Sequence, residues 1–570
     1  MTPPPRRSRF GAFLLGAALL MALPAQAGHP AGADHPPRLI VSIVGTNDLH
    51  GHLENLPRFA GYLANLRRAR QDGGGGVVLL DAGDMFQGTL ESNANEGAAV
   101  VRAYNALKYD AIAIGNHDFD YGPVGPATGP RAPGEDPRGA LKARAAEAHF
   151  PFLAANLIDE KTGATPAWRN VGSTHMAYVG DVKVGIIGLA NAGTAFMTLP
   201  ANFAGLRALP LAPVVIAAAK DLRRQGAAVV VVVGHVGGSC TQFTDPDDLA
   251  SCDGGSEIFQ LARALPKGTI DAIVAGHTHA GIAHRVAGVP IIETYDKGAS
   301  FGRIDIELGA AGSPRRVPQV IGTAIHRPEP IAKPGAPLVR YEGADVLIDP
   351  AVDKAIEPAV TAARARRALQ LGVTVAHPIA PAYAAESALG NLFADLMRAA
   401  RPKADVALTS GGSLRAALPA GALTYGQLHE ALPFDDRMVT LHTTGADLAA
   451  TVARNLGRPG GVVSLSGVSA SAACIDGSLQ VTLKRADGKP VAPAEALTLV
   501  TSEYLASGGS DVLPAELRAH ADPADGEPIR DVMADLLRAR KKPLDPDSPP
   551  LYDAAHPRLG YPGKRPVHCH

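Results

Sequence analysis

The chain has almost no net charge to offer a polyanion. Its 54 Lys and Arg nearly cancel its 55 Asp and Glu, for a formal charge of −1. That excludes a broad basic surface for nucleic-acid backbones, so any phosphate recognised here is bound locally. Long apolar runs are missing after Leu23, and no later segment is long and apolar enough to span a bilayer. Cysteine is scarce: Cys240, Cys252, Cys474 and Cys569 are the whole set, and none is placed as a nucleophile or zinc-finger ligand. No Walker-type loop is evident, nor a Ser-His-Asp order.

What is present reads as globular and loop-rich. Glycine (62) and proline (47) are plentiful but lie between apolar runs, not in one low-complexity block. A chain of 570 residues is too long for one core, so two domains are expected. Arg6, Arg7 and Arg9 precede the apolar run Phe10–Leu23, and Ala25-Gln26-Ala27 follows. This predicts a signal peptide over residues 1–27, cleaved before Gly28, with Arg6-Arg7 weakly similar to a twin-arginine signal. The mature protein is then expected in the periplasm or secreted, with no stable membrane insertion. An oxidising compartment permits disulfides. Cys240 and Cys252 bracket one acidic loop and are the favoured pair, while Cys474 and Cys569 are harder to pair.

From Leu39 one pattern repeats. A short apolar run is followed by a burst of Asp, His, Asn and Gly: Asn47-Asp48-Leu49-His50-Gly51-His52, Asp81-Ala82-Gly83-Asp84, Gly115-Asn116-His117-Asp118-Phe119-Asp120, Gly234-His235 and Gly276-His277-Thr278-His279. Helical spacing separates the runs, as in Phe59–Arg70, Gly97–Leu107, Val214–Gln225 and Ile258–Leu265. Alternating strands and helices imply a layered α/β architecture, with reactive loops beyond the carboxyl ends of the strands. All five bursts fall there.

Asp48, His50, Asp84, Asn116, His235, His277 and His279 mix carboxylate oxygens with imidazoles. That set suits Zn²⁺, Mn²⁺ or Fe²⁺ better than Ca²⁺ or Mg²⁺. Two ions held close together need a bridging carboxylate, a role open to Asp84, and would together acidify a water and hold phosphoryl oxygens. Each residue alone has a bland reading: Asp84 as a helix cap, Asn116 as a turn residue, His277 and His279 as surface histidines. Their joint placement points to one metal site.

These five motifs, with Gly83-Asp84-Met85-Phe86-Gln87-Gly88, resemble those of the calcineurin-like metallophosphoesterases. The sub-pattern resembles the exported 5′-nucleotidase family, including its UDP-sugar hydrolase and 2′,3′-cyclic phosphodiesterase members. The resemblance implies an N-terminal α/β/β/α metallophosphoesterase domain (38–326), a linker and connecting helix (327–370) and a C-terminal α/β nucleotide-binding domain (371–540); the tail after it (541–570) is Pro-rich and reads as a flexible end. It implies one metal, Zn or Mn, on Asp48, His50, Asp84 and His279, and a second on Asp84, Asn116, His235 and His277. His117 and Asp120 are implied as a catalytic dyad, with Asp118 a structural neighbour.

In the second half the resemblance extends to Glu386–Asp395, Ser410-Gly411-Gly412-Ser413-Leu414-Arg415, Pro433-Phe434-Asp435-Asp436 and Tyr504–Asp511. It implies Arg415 for phosphate, Phe434 and Tyr504 on either face of a base, and Gly411, Gly412 and Asp511 as further substrate contacts. The chain departs from the family at Ser410, where Asn is usual, at Ala385, where Arg is common, and at Ser510-Asp511, where Asp-Gly is usual. The implied activity is release of phosphate from nucleoside 5′-monophosphates by metal-activated water, with a small-molecule nucleotide as the partner. Hydrolysis of nucleotide sugars or cyclic nucleotides, or silent nucleotide binding on the same fold, are the alternatives.

Overall fold

The computed structural model describes residues 39–569 apart from 126, 310–317, 523 and 525. The expected signal peptide and its cleavage site lie outside the described residues. Among the described residues no helix is long and apolar enough to cross a membrane.

The apolar runs form strands because they are buried on both faces, as parallel strands between helical layers must be. Leu39–Thr46, Gly76–Asp81 and Ala111–Ala113 lie side by side and parallel in a seven-stranded sheet. Val182–Leu189, Val229–Gly234 and Ala272–Ala275 do the same in a six-stranded sheet. The sheets pack face to face through Val41, Ile43, Val78 and Leu80 against Val184, Ile186, Val231 and Val233. Helices Leu56–Asp72 and Ala98–Leu107 cover the outer face of the first sheet. Helices Leu211–Arg224 and Glu257–Ala264 cover the second. The result is the α/β/β/α layering expected, and it stacks the carboxyl ends of the parallel strands along one edge.

A helix, Pro350–Ala368, leads into the second half, with Asp349 accepting from the backbone N–H of Ala351 and Val352 as its cap. Val352, Ile356 and Ala359 belong to the core of the first half, whereas Ala363 belongs to that of the second. The helix stops short of the expected Gln370 because that residue begins a strand, Gln370–Val375, paired with Thr424. Beyond it a four-stranded sheet orders Met438–Thr444, Ala496–Ser502, Val406–Ser410 and Val463–Ser466. Helix Ala388–Ala400, capped by Ser387, packs on it.

The tail is not the flexible end expected. Leu559–Gly560 pairs in parallel with Ala470 and Ser471, Val567 is buried, and Cys569 is bonded to Cys474. Packing and a covalent link hold it where composition suggested freedom. Cys240 and Cys252 are paired as favoured.

Candidate active site

Five of the candidate ligands share an unusual backbone. Asp48, His50, Asp84, His277 and His279 have φ of 50°, 48°, 57°, 87° and 55°. Left-handed geometry costs a non-glycine residue on the order of 1 kcal/mol or more and is sustained where surrounding structure enforces it, typically at functional sites. Gly115 is required beside them, since a Cβ there would sit 2.1 Å from Asp84 Oδ1.

Six of the seven expected ligands converge as two groups, with Asn116 beside the second. Asp48, His50 and His279 form one, and Asp84, His235 and His277 the other, each with ligand atoms within 4.8 Å of one another. Asn116 Oδ1 lies 3.1 Å from His235 Nε2, which is itself 3.0 Å from Asp84 Oδ2. His50 Nε2 and His279 Nε2 face each other at 3.1 Å, and His279 Nε2 is 3.2 Å from Asp48 Oδ1. Behind them, His50 Nδ1 lies 2.8 Å from the carbonyl of Gln87 and His235 Nδ1 lies 2.9 Å from that of Ala82. A carbonyl only accepts, so Nδ1 carries the hydrogen and Nε2 is left as the ligating atom.

This cluster fits divalent cations. Asp48 Oδ1 is buried and accepts no well-aligned hydrogen bond, with His279 Nε2 as its ion-pair partner at 3.2 Å, a placement that suits a cation. Burial opposes protonation of His235, yet the adjoining Asp84 carboxylate overrides it and pushes the imidazole up to about 10. Burial likewise opposes protonation of His279, and Asp48 overrides it, to about 9. His277 goes the other way, to about 4, through burial and the neighbouring His235. Burial, with Arg415 close by, drives His50 well below its ordinary value. Protons on two histidines thus offset two carboxylates, the place that a pair of metal ions would take.

His117 stands at the edge of the cluster, its Nδ1 2.6 Å from Asp120 Oδ2. Thr198 Oγ1 donates to the other Asp120 oxygen at 3.0 Å. The Asp118 carboxylate accepts from the backbone N–H of Gly115, Asp84 and Met85, which ties two of the bursts together.

Above the cluster opens a cavity of about 620 Å³, walled on the far side by the second half of the chain. Arg415 reaches down so that Nη2 is 3.4 Å from His50 Nε2. The Phe434 ring lies 5.6 Å from that of His117. Gly411 and Gly412 form a tight turn whose Ser410 hydroxyl accepts from the Gly412 N–H at 3.3 Å, so the serine departure leaves the turn capped. Tyr504 lines the same cavity and donates its hydroxyl hydrogen to the carbonyl of Phe196 at 2.8 Å.

Asp511 is the exception among the expected substrate contacts. Arg454 and Arg458 hold its carboxylate at 2.5 and 2.6 Å, turned from the cavity, and Ser510 lines the wall in its place. Two arginines nearby outcompete a position on the cavity wall. Gln87, Asn93 and Tyr383 also line the cavity and escaped the sequence reading. Gln87 lies inside a recognised motif, a signal that was available; Tyr383 lies in none.

Two family models match the chain: calcineurin-like phosphoesterase over residues 41–281 and 5′-nucleotidase, C-terminal domain, over residues 370–516. Protein UshA of Yersinia enterocolitica serotype O:8 is 25% identical over 544 residues, covering 89% of this chain and 93% of the relative. Endonuclease YhcR of Bacillus subtilis is 24% identical over 554 residues, but the match spans only 40% of that longer protein. A 5′-nucleotidase precursor structure from Thermus thermophilus superposes with a TM-score of 0.70 at 21% identity, covering 92% of this chain and 99% of that one. The likeness to that structure is one of fold.

Proposed function

This chain belongs to the 5′-nucleotidase family of calcineurin-like phosphoesterases and is a metal-dependent phosphoric ester hydrolase; on that premise we propose that it is an exported 5′-nucleotidase releasing phosphate from nucleoside 5′-monophosphates. One observation carries the reading. A cation and two aromatic rings from the second half of the chain, Arg415, Phe434 and Tyr504, line the space over the Asp and His cluster of the first half.

Asp48, His50, Asp84 and His279 would hold one divalent ion, and Asp84, Asn116, His235 and His277 the other. Zn²⁺ or Mn²⁺ matches this donor set. Bound there, the ions supply Lewis acidity toward phosphoryl oxygens and lower the pKa of water.

The chain's own groups do the rest. Arg415 offers two parallel N–H donors to nonbridging phosphoryl oxygens. His117, oriented through Nδ1 by Asp120, presents Nε2 to the developing negative charge on phosphoryl or leaving oxygen. Gly411 and Gly412 let backbone approach the anion without side-chain obstruction. Phe434 and Tyr504 supply flat apolar surface for a base.

Export is supported by the basic-then-apolar N-terminal sequence and by two disulfides, which persist in oxidising compartments. The test is phosphate release from AMP by the purified mature protein with Mn²⁺ or Zn²⁺, beside UDP-glucose and 2′,3′-cyclic AMP. Fast release from AMP alone is expected. Preference for either other substrate would overturn the nucleotidase specificity, and no turnover of any, with metal bound, would leave a silent binder.

A further inference from the structure

Arg565, Val567 and Cys569 fasten the tail to the residues that support the Gly411–Arg415 turn. Arg565 spreads its guanidinium over backbone carbonyls at the end of helix Gly445–Leu456 and in the loop after it: Asn455 at 2.6 Å, Gly460 at 3.1 Å and Arg458 at 3.2 Å. It also reaches the Ala384 carbonyl at 3.4 Å. Val567 N–H donates to the Leu456 carbonyl at 2.9 Å. Cys569 then closes a disulfide to Cys474, 95 residues earlier.

The loop under Arg565 is the support of the glycine turn. Gly411 N–H donates to the Val462 carbonyl and Val462 N–H to the Tyr383 carbonyl, both at 2.8 Å. Asn455 Nδ2 donates to the Gly461 carbonyl at 3.0 Å. Gly461 presses so closely on the turn that a Cβ there would sit 2.7 Å from Gly412 N. The contacts run without a gap from Arg565 to residues 455–462, at the end of that helix and in the loop after it, then to Gly411 and Gly412, and so to the turn that carries Arg415. Without a crosslink, chain entropy would work against this grip. The disulfide holds the end in place.

We propose that the C-terminal tail is a clamp, with Arg565 as its positioning residue and the Cys474–Cys569 disulfide as its lock, that holds the Gly411–Arg415 turn in register for the substrate's phosphate. The proposal rests on the reading of that turn as the phosphate site. Cys474 is exposed, so a dithiol has access to the lock from solvent. Reduction would pass two electrons and two protons from the dithiol to the cysteine sulfurs, leave the dithiol as its cyclic disulfide, and free the tail.

The experiment is AMP turnover by full-length mature protein as wild type, Arg565→Ala, Arg565→Lys and Cys569→Ser, with and without dithiothreitol, alongside amide hydrogen exchange. Arg565→Ala and Cys569→Ser are expected to raise KM about tenfold with kcat changed less, a loss of substrate binding. Arg565→Lys should fall between them and wild type, and metal content should not change. Dithiothreitol should reproduce the KM rise in wild type and add nothing in Cys569→Ser, which separates the clamp from a folding defect. Exchange should quicken at Gly411, Gly412 and Val462 but not in Val229–Gly234. A KM within twofold of wild type in Arg565→Ala, or unchanged exchange at those amides, overturns the clamp. Wild type that ignores AMP counts against the function proposed above, and the exchange at those amides then decides the clamp alone.

Discussion

The side-chain amide of Gln87 donates to the carbonyl of Pro433 at 2.9 Å, across 346 positions of sequence. The Gln87 carbonyl meanwhile accepts from His50 Nδ1 at 2.8 Å. One residue thus touches a candidate metal ligand through its backbone and the loop bearing Phe434 through its side chain. Asn93 donates to the same Pro433 carbonyl at 2.9 Å. Buried Arg530 holds the flanking carbonyls of Leu432 and Phe434, each at 3.1 Å.

Removing both donors, in Gln87→Met with Asn93→Ala, should therefore loosen Phe434 over the cluster. Each neutral hydrogen bond contributes roughly 0.5–1.5 kcal/mol, so kcat/KM for AMP should fall about 5- to 160-fold. Steady-state kinetics with metal analysis checks this. A double variant with wild-type kinetics would show that the loop is placed by Arg530 alone.

The pair His117 and Asp120 gives a second prediction. A positioned acid or base contributes typically 10²–10⁴-fold, and His117→Ala should lose about that much in kcat with metal content intact. Asp120→Asn keeps the shape but not the charge behind Nδ1, and should lose less. A metal-replete His117→Ala enzyme at full rate would remove His117 from the chemistry.

Metal binding should release protons. Without metal, His235 is held at about 10 by Asp84 against its burial, and His279 at about 9 by Asp48 against its burial. Both imidazoles are therefore protonated at neutral pH and must deprotonate to ligate. The sign follows: affinity rises with pH below those values and falls on acidification. Titration calorimetry of the chelator-stripped protein with Mn²⁺ near pH 7, in buffers of different ionisation enthalpy, should show about two protons released per filled site pair. Release near zero would mean the histidines are already neutral, contrary to the carboxylate effect.

Phe434 should matter to the base and not to the phosphate. Phe434→Ala should raise KM for AMP about tenfold, in line with the roughly 1–3 kcal/mol of base–aromatic stacking, and affect phenyl phosphate far less. Equal losses on both substrates would assign Phe434 to packing against His117.

Much of the first half was legible because its chemistry is written locally. Each burst follows an apolar run, and a parallel strand buried on both faces announces itself by that run. Asp48, Asp84, Asn116, His235 and His277 could thus be placed at strand ends before any contact was known, and the structure brings them together. Boundaries were less legible: the connecting helix ends at Ala368 only because Gln370 finds a strand partner at Thr424. The placement of Asp511 was not legible because it depends on Arg454 and Arg458, at and just beyond the end of helix Gly445–Leu456 and in no motif.

The residues alone determined the donor types, their order on strand ends and therefore the class of chemistry, since these follow from short-range pattern and side-chain identity. Tertiary structure decided which groups face the cavity. It put Ser510 and not Asp511 on the cavity wall, set Gln87 and Asn93 on Pro433, and bound a Pro-rich tail through Arg565 and Cys569. Those outcomes rest on contacts between segments distant in sequence, where burial, hydrogen-bond competition and a covalent link outweigh any local preference.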